Sequence, residues 1–153
     1  MDDVTPHIMV VEARFYEDLA DEMALGAIAA IETAGATYER FSVPGAFEIP
    51  AAIRYALEAD QPAEGRRKFD GFVALGCVIR GETTHYDYVC GESARALQDL
   101  AMNQLAAIGY GILTCENKDQ AWARASRDKG NKGAAAVEAC LSMVALRYRF
   151  ELS

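Results

Sequence analysis

The sequence predicts an α/β fold in which a four-stranded parallel sheet is covered by helices on both faces. Short apolar runs alternate with longer stretches of 3.6-residue periodicity, and four such strand–helix pairs follow one another. The run at 71–79, GFVALGCVI, is continuously apolar, as expected of a strand buried on both faces. With 153 residues, 52% of them apolar, the chain is long enough for one domain spanning residues 1–153.

The first half of the chain contains two strand–helix pairs. An apolar strand is predicted at 7–15, and the helix after it stops at Gly35, a residue type that favours helix C-termini. A second strand at 37–43 alternates apolar and polar residues, and Pro50 fits only the first turn of the helix that follows. The residues predicted to face the core from these two helices are Leu19, Met23, Ala27, Ile31, Ala34, Ile49, Ala52, Ile53, Ala56 and Leu57.

The second half enters the central strand through a polar connection at 60–70. This connection is predicted to be a solvated loop, and its basic residues are Arg66, Arg67 and Lys68. A fourth strand is predicted at 110–116, then a short helix at 117–126 and, after the joint at 130–133, a long final helix. The residues predicted to face the core from the third and last helices are Val89, Leu97, Leu100, Ala101, Leu105, Ile108, Ala134, Val137, Leu141, Val144 and Tyr148.

Composition and charge exclude several classes of protein. A formal charge of -8 provides no basic stripe for nucleic acid or anionic membranes, and no apolar run approaches the ~20 residues of a membrane span. The N-terminus lacks a secretory signal pattern, so we expect a cytoplasmic protein with a loose segment over about residues 1–6. Metal and redox roles are not favoured, because the cysteines lack metal-ligand spacing and lie in apolar segments. These residues are Cys77, Cys90, Cys115 and Cys140.

The carboxyl ends of the predicted strands indicate where a ligand would bind. Parallel sheets with helices on both faces bind ligands beyond the carboxyl ends of their strands. The four segments that would meet there are 14–15, 43–48, 79–85 and 114–117. Any pocket is therefore expected among these loops.

The loop after the third strand has the residues for an anion site next to a proton carrier. Gly81 permits an unusual turn, and the start of the next helix exposes unpaired N–H groups that suit a phosphate. The pair Thr84 and Asp87 matches a capping box, and we assign Thr84 that structural role. His85 titrates near neutral pH as a residue type and is the candidate proton shuttle, although a structural role is the commoner use of such a histidine.

Other strand-end residues have two interpretations each. Phe15 and Phe47 are candidate stacking platforms for a planar heterocycle, or else ordinary core residues. Glu48 is suited to ligand hydroxyls or to the positive end of a helix. Arg124 and Lys132 are candidate anion ligands; the alternatives are a helix C-terminal interaction for Arg124 and a solvated turn for Lys132.

Several enzyme classes lack their signatures in this chain. No GxGxxG, Walker loop, GxSxG elbow or HExxH occurs, which disfavours dinucleotide-binding, nucleotide-hydrolysing, serine hydrolase and zinc protease functions. A receiver-like signalling domain is also disfavoured, because the strands end in Phe15, Pro44 and Arg80 where such a domain needs acidic residues.

Four motifs together resemble the lumazine synthase family. VPGAFEIP, LGCVIRGETTHYDYV, YGILTCEN and GNKG occur in the order and spacing of that family, over nearly the whole chain. The resemblance implies a flavodoxin-like three-layer fold. It also implies condensation of 5-amino-6-(D-ribitylamino)uracil with 3,4-dihydroxy-2-butanone 4-phosphate, giving 6,7-dimethyl-8-ribityllumazine, phosphate and water. No cofactor or metal is implied.

The resemblance also implies a role for each candidate residue. Phe15 would stack on the pyrimidine, and His85 would move protons. The remaining substrate contacts implied are Ala46, Phe47 and Glu48 for the ribityl chain and ring edge, Cys77, Val78 and Ile79 for the heterocycle, and Gly81, Glu82, Thr83, Arg124 and, less directly, Lys132 for the phosphate. Tyr110 would enter the site with Arg124 and Lys132 from a neighbouring subunit, so an isolated chain would be inactive.

Assembly and alternative functions stay open at this stage. The family forms homopentamers and, in some members, hollow shells of twelve pentamers, and riboflavin synthase is the candidate partner enzyme. A non-catalytic flavin-binding paralogue would need the aromatic platform but not His85 and Arg124. A purely structural shell subunit would show a degraded site. The presence of both residues favours the enzyme.

Overall fold

The computed structural model describes residues 5–60 and 68–152. Its sheet has four strands in the order β2-β1-β3-β4, and every neighbouring pair is parallel. The strands are β1 (His7–Ala13), β2 (Thr37–Val43), β3 (Gly71–Ile79) and β4 (Ile108–Cys115). The predicted four-stranded parallel sheet is confirmed, and its order is that of the first four strands of a flavodoxin-like fold.

Helices cover both faces of this sheet, as predicted. The helices are α1 (Glu17–Thr33), α2 (Ile49–Ala59), α3 (His85–Gln104), α4 (Lys118–Ala125) and α5 (Lys132–Arg149), with a 3₁₀ turn over Ala46–Glu48. Apolar residues of α1, α4 and α5 form one core with the sheet, and those of α2, α3 and the 3₁₀ turn form the other. The chain is therefore a three-layer α/β sandwich with a flavodoxin-like fold.

The central strands β1 and β3 are apolar because both of their faces are buried. Val10 and Val73 face the core shared with α1 and α5, whereas Val11 and Ala74 face the core shared with α2 and α3. Burying side chains on both faces of a strand contributes about 25 cal/mol per Å² of apolar surface removed from water. The continuous apolar run that predicted β3 is thus explained.

Glycines allow α5 to pack closely against its neighbours. A Cβ at Gly109 of β4 would lie 1.9 Å from the carbonyl oxygen of Ala136, and a Cβ at Gly133 would lie 2.2 Å from that of Met23 in α1. Neither position has room for a side chain. This close approach fixes where α5 begins, and hence where Lys132 is placed.

Three predicted boundaries are wrong. The fourth strand, predicted at 110–116, runs from Ile108 to Cys115. The strand predicted at 7–15 ends at Ala13, so Arg14 and Phe15 lie in the loop. The third helix ends at Gln104, because Leu105 adopts a left-handed conformation (φ 56°), and Ile108 begins β4. The apolar spacing continued past the helix because the connection itself is buried at Ala106 and Ala107.

The polar connection before β3 is only partly described. Arg66 and Arg67, predicted to be solvated, lie outside the described residues, as do residues 1–4 at the N-terminus. Lys68 is exposed, and its N–H donates to the Asp60 carboxylate at 2.9 and 3.0 Å. Within the described ranges, no helix is long and apolar enough to cross a membrane.

Candidate active site

The carboxyl ends of β1 and β3 meet the 3₁₀ turn around Gly76. A Cβ at Gly76 would lie 3.3 Å from the Cβ of Ala13 and 3.8 Å from the Cβ of Ala46. Three of the predicted strand-end segments are thereby brought together at one edge of the sheet. The residues that follow each of them extend toward solvent.

Two exposed aromatic rings follow the first two strands. The Phe15 side chain is 74% exposed and the Phe47 side chain 59% exposed. The alternative that Phe47 is an ordinary core residue is therefore wrong. The Phe15 ring contacts Tyr16 edge-on, with a centroid distance of 5.0 Å and an angle of 80°. Both rings have a free apolar surface on which a planar ligand can stack.

The 3₁₀ turn places a buried, an aromatic and an acidic residue in sequence. Ala46 is buried against Gly76, whereas Glu48 is exposed at the end of the 3₁₀ turn, directly before α2. The Glu48 carboxylate does not cap the helix through its side chain, and Oε2 lies 3.7 Å from the Cβ position of Gly45. An exposed carboxylate at a helix start is favoured by the helix dipole and can also accept hydrogen bonds from a ligand.

The last three residues of β3 are half-buried and point to alternate faces. Cys77 and Ile79 contact the core on the α1 side, and Val78 contacts the core on the α2 side. Burial, reinforced by the neighbouring Cys115, raises the pKa of the Cys77 thiol to about 12. The thiol is therefore neutral at physiological pH and acts as a small apolar surface, not as a nucleophile.

The loop from Arg80 to Thr84 is fully exposed and does not contain the predicted capping box. Thr84 is the residue before α3, but its side chain makes no capping hydrogen bond. Its backbone is already helical (φ -74°, ψ 0°), which is not the extended conformation that a capping side chain needs. Thr83 replaces it, since its hydroxyl accepts weakly from the His85 N–H at 3.4 Å.

The three candidate phosphate-binding residues of the 81–83 loop (the anion loop) lie one residue before the candidate proton carrier. Gly81, Glu82 and Thr83 are exposed, and the Cβ position of Gly81 has no atom within 4 Å. His85 is the first residue of α3, and its side chain is exposed at the same edge. This arrangement provides backbone N–H groups and an imidazole within five residues of the chain, which suits a reaction that binds a phosphate and moves protons.

Arg80 contacts residues from two other elements at this edge. Its Nε donates to Glu116 Oε2 at 2.8 Å, and its Nη1 lies 3.4 Å from Asp87 Oδ1. Its Cζ lies 4.3 Å from the centroid of the Tyr86 ring. Sequence reasoning gave Arg80 no role. The available signal was that a basic and an acidic residue, Arg80 and Glu116, directly follow strands three and four.

Tyr110, Arg124 and Lys132 belong to β4, α4 and α5, and not to the loops that follow β1, β2 and β3. Tyr110 is paired with Ala74, several residues before the end of β4, and burial raises the pKa of its hydroxyl. Arg124 lies in the last turn of α4 and donates to the Gln120 carbonyl at 3.2 Å, which confirms the helix C-terminal interaction. Lys132 is the exposed first residue of α5, so the prediction of a turn there is wrong.

The fold and this edge together define the class of the protein. It is a flavodoxin-like α/β protein whose carboxyl edge presents aromatic rings, a glycine loop and a helix-start histidine to a small molecule. A family model described as 6,7-dimethyl-8-ribityllumazine synthase matches residues 5–148. The chain belongs to the lumazine synthase family.

Curated relatives support the same assignment over most of their length. The chain is 59% identical over 143 residues to "6,7-dimethyl-8-ribityllumazine synthase 1" of Rhizobium meliloti, covering 94% of this chain and 92% of that protein. It is 55% identical to "6,7-dimethyl-8-ribityllumazine synthase" of Agrobacterium fabrum, covering 93% and 95%. It is 52% identical to the protein of that name from Bartonella tribocorum, covering 95% and 92%. The predicted family resemblance is confirmed.

Proposed function

We propose that this chain condenses 5-amino-6-(D-ribitylamino)uracil with 3,4-dihydroxy-2-butanone 4-phosphate to form 6,7-dimethyl-8-ribityllumazine, phosphate and water. It is an enzyme of the transferase class in riboflavin biosynthesis. The observation that carries this proposal is the family match over residues 5–148, which includes the whole carboxyl edge of the sheet. We read residues 1–153 as one catalytic domain.

The heterocycle would bind between the first two strand-end loops and the end of β3. Exposed rings at Phe15 and Phe47 can stack on the planar pyrimidine, and Glu48 can accept hydrogen bonds from the ring edge or ribityl hydroxyls. Ala46, in the same turn, would contact the ribityl chain or the ring edge. The half-buried residues that would line the floor are Cys77, Val78 and Ile79.

The phosphate of the second substrate would bind at the start of α3. Gly81, Glu82 and Thr83 are exposed there, so their backbone N–H groups would donate to the phosphate, and the helix dipole favours an anion. Arg124 and Lys132 would supply the cationic groups from a neighbouring chain. Glycine at position 81 keeps this approach free of a side chain.

The reaction needs proton transfers that one imidazole near the bond-forming atoms can perform. The amine of the uracil attacks the ketone and loses one water to form an imine, the imine loses phosphate, and the ribityl-bearing nitrogen closes the ring with loss of a second water. Each step moves protons between weak acids and bases, and His85 lies next to the phosphate loop where it can donate and accept them. Holding two substrates together supplies much of the remaining rate gain.

The same proposal includes the oligomeric state, a partner enzyme and the cellular location. Membership of the family supports a homopentamer, alone or as twelve pentamers in a shell, in which Tyr110, Arg124 and Lys132 would complete the His85 site of a neighbouring chain. Riboflavin synthase, which would consume the product, is the proposed partner enzyme. Four free cysteines support a reducing, cytoplasmic location.

The two rival functions draw no support from the described residues. A flavin-binding paralogue would need only the aromatic surface, yet His85 is exposed at the reacting edge beside the anion loop. A shell subunit without activity would show a blocked or disordered edge, whereas Phe15, Phe47 and the 81–83 loop are all open to solvent.

A two-substrate assay tests the proposal directly. Purified protein is mixed with both substrates, and lumazine absorbance is followed together with released phosphate. We expect equal amounts of both products, at a rate well above the uncatalysed reaction, and none of this enhancement when either substrate is omitted. A correctly folded protein that binds riboflavin but gives no rate above background would favour the flavin-binding alternative.

A further inference from the structure

The backbone of Arg80 fixes one end of the anion loop at 81–83. Its backbone N–H donates to the Cys115 carbonyl at 2.9 Å and so continues the pairing of β3 with β4 by one residue. Beyond it, residues 81–84 are exposed, and Thr83 makes only a weak contact of 3.4 Å with the His85 N–H. The backbone of Arg80 is thus the last fixed point before the loop.

The Arg80 side chain then reaches across the loop to its other end. Its Nη1 lies 3.4 Å from Asp87, and its guanidinium lies over the Tyr86 ring at 4.3 Å. Both of these residues are in the first turn of α3, directly after His85. One side chain therefore joins the start and the end of the loop.

The third contact of Arg80 is itself held in place by α4. The Glu116 carboxylate accepts from Arg80 Nε at 2.8 Å, while the Glu116 N–H donates to Gln120 Oε1 at 2.8 Å. Gln120 in turn donates its N–H to Asn117 Oδ1 at 2.9 Å and closes the first turn of α4. Arg80 is thus tied to a rigid element outside the loop.

We propose that Arg80 is a positioning residue for the reaction, whose guanidinium spans the 81–85 loop through Glu116, Asp87 and Tyr86 and so fixes the distance between the phosphate loop and His85. This role rests on the proposed function. Catalytic groups must be held within about 0.5 Å of their productive geometry, and a displacement of about 1 Å can cost roughly 10²-fold in rate.

The proposal requires arginine rather than any cation. A planar guanidinium can donate to two carboxylates while its face lies on an aromatic ring, whereas a lysine ammonium is a point charge that cannot make this set of contacts. We therefore expect Arg80→Lys to resemble Arg80→Ala more than the wild type. Restoration of wild-type kinetics by lysine would overturn the proposed geometry.

The test compares Arg80→Ala and Arg80→Lys with the control Arg95→Ala. Arg95 also pairs with two carboxylates, Glu92 and Asp99, but it lies further along α3 and away from the loop. For Arg80→Ala we expect kcat to fall about 10- to 100-fold and KM for the butanone phosphate to rise. KM for the ribitylaminouracil should stay within about twofold of the wild-type value. For Arg95→Ala, kcat and both KM values should also stay within about twofold of the wild type.

A second measurement separates positioning from stability. Arg80→Ala is combined with His85→Ala, and the melting temperature and mass of every variant are recorded. If Arg80 acts through His85, its removal costs much less in the His85→Ala background than alone. Provided that the wild type is active, three results would overturn the proposal. The first is a kcat of Arg80→Ala within twofold of that of Arg95→Ala, and the second is a loss of rate that unfolded protein explains. The third is a double variant whose loss in kcat equals the product of the losses caused by Arg80→Ala and His85→Ala alone. Absence of wild-type lumazine formation would instead overturn the proposed function, and this role with it.

Discussion

His85 lies at the carboxyl edge as the exposed first residue of α3, immediately after the loop proposed to bind phosphate. The chain has a second histidine, His7, at the opposite edge of the sheet. Both nitrogens of its ring are hydrogen-bonded: Nδ1 lies 2.7 Å from Thr37 Oγ1, and Nε2 lies 2.8 Å from Glu39 Oε2. The His7 side chain is therefore held by its neighbours, whereas the His85 side chain is exposed to solvent.

Replacing His85 by alanine should slow the reaction without stopping it. Loss of one acid–base group typically costs 10²–10⁴-fold, so we expect kcat to fall about 10²-fold, because substrate alignment is retained. Lumazine absorbance and phosphate release report the rate. His7→Ala is the matched control and should keep the wild-type kcat; an unchanged rate for His85→Ala would remove this residue from the mechanism.

The Cys77 thiol should be unreactive although it is near the proposed heterocycle site. Burial raises its pKa from 9.0 to about 12, so the thiolate fraction near neutral pH falls about 10³-fold. We expect alkylation of Cys77 by iodoacetamide at pH 8 to be slower by a similar factor than in the unfolded chain, as measured by mass spectrometry. Equal rates in the folded and unfolded chain would contradict the burial of this thiol.

The raised pKa values of two buried thiols predict that the folded state loses stability at alkaline pH. Cys77 and Cys140 both have a pKa raised to about 12 in the folded chain, whereas an unfolded chain ionises them from about pH 9. The unfolded state then loses protons that the folded state keeps, so the free energy of unfolding falls as pH rises from 9 toward 12.

At the scale of elements, the packing of α5 depends on two glycines. Gly109→Ala would place a methyl group 1.9 Å from the Ala136 carbonyl oxygen, and neither backbone can move without disturbing the sheet. We expect a loss of about 1–3 kcal/mol in the free energy of unfolding, a lower melting temperature by about 2–4 °C for each kcal/mol, and weaker activity because Lys132 shifts with α5.

The control for this variant is a glycine with open space around it. Gly91 is exposed in α3, and a Cβ there has no atom within 4 Å. Gly91→Ala should stabilise the helix by about 0.5–1 kcal/mol, because alanine has less backbone entropy to lose. Calorimetry of Gly109→Ala and Gly91→Ala measures both changes in stability. A Gly109→Ala protein as stable as Gly91→Ala would contradict the close packing of α5 on β4.

Sequence periodicity predicted the elements better than their ends. β2 and β3 have the predicted bounds, because turn residues flank both runs. The third helix was overextended to Ile108, since residues 106 and 107 are as buried as the helix face and the backbone reversal at Leu105 has no sequence signal such as glycine.

The candidate site was predictable in its location but not in its local geometry. The rule for parallel sheets predicted that residues 14–15, 43–48, 79–85 and 114–117 meet at one edge. Ala13, Ala46 and Gly76 lie together there, and Arg80 pairs with Glu116. The capping role of Thr84 was not found, because Thr84 is already helical and Thr83 makes the contact instead. The contacts of Arg80 depend on which strands are neighbours, which the order of residues alone does not reveal.

At the scale of the whole molecule, we propose that each site is shared between two chains. Residues at the His85 edge come from the β1, β2 and β3 loops, whereas Arg124 lies on α4, on the opposite face of the sheet from α3. In a ring of identical chains, each site would combine His85 of one chain with Arg124 of the next. Light scattering should then give a mass near 83 kDa, five chains of 16.6 kDa, or a multiple of it.

Complementation between two impaired variants tests this shared active site most directly. His85→Ala and Arg124→Ala chains are co-expressed in equal amounts, and lumazine formation by the mixed assemblies is compared with that of each variant alone. If both residues act in one site from different chains, random mixing restores about a quarter of the sites, and we expect about a quarter of the wild-type rate. A mixture no more active than the average of the two separate variants would contradict a catalytic site built from neighbouring chains.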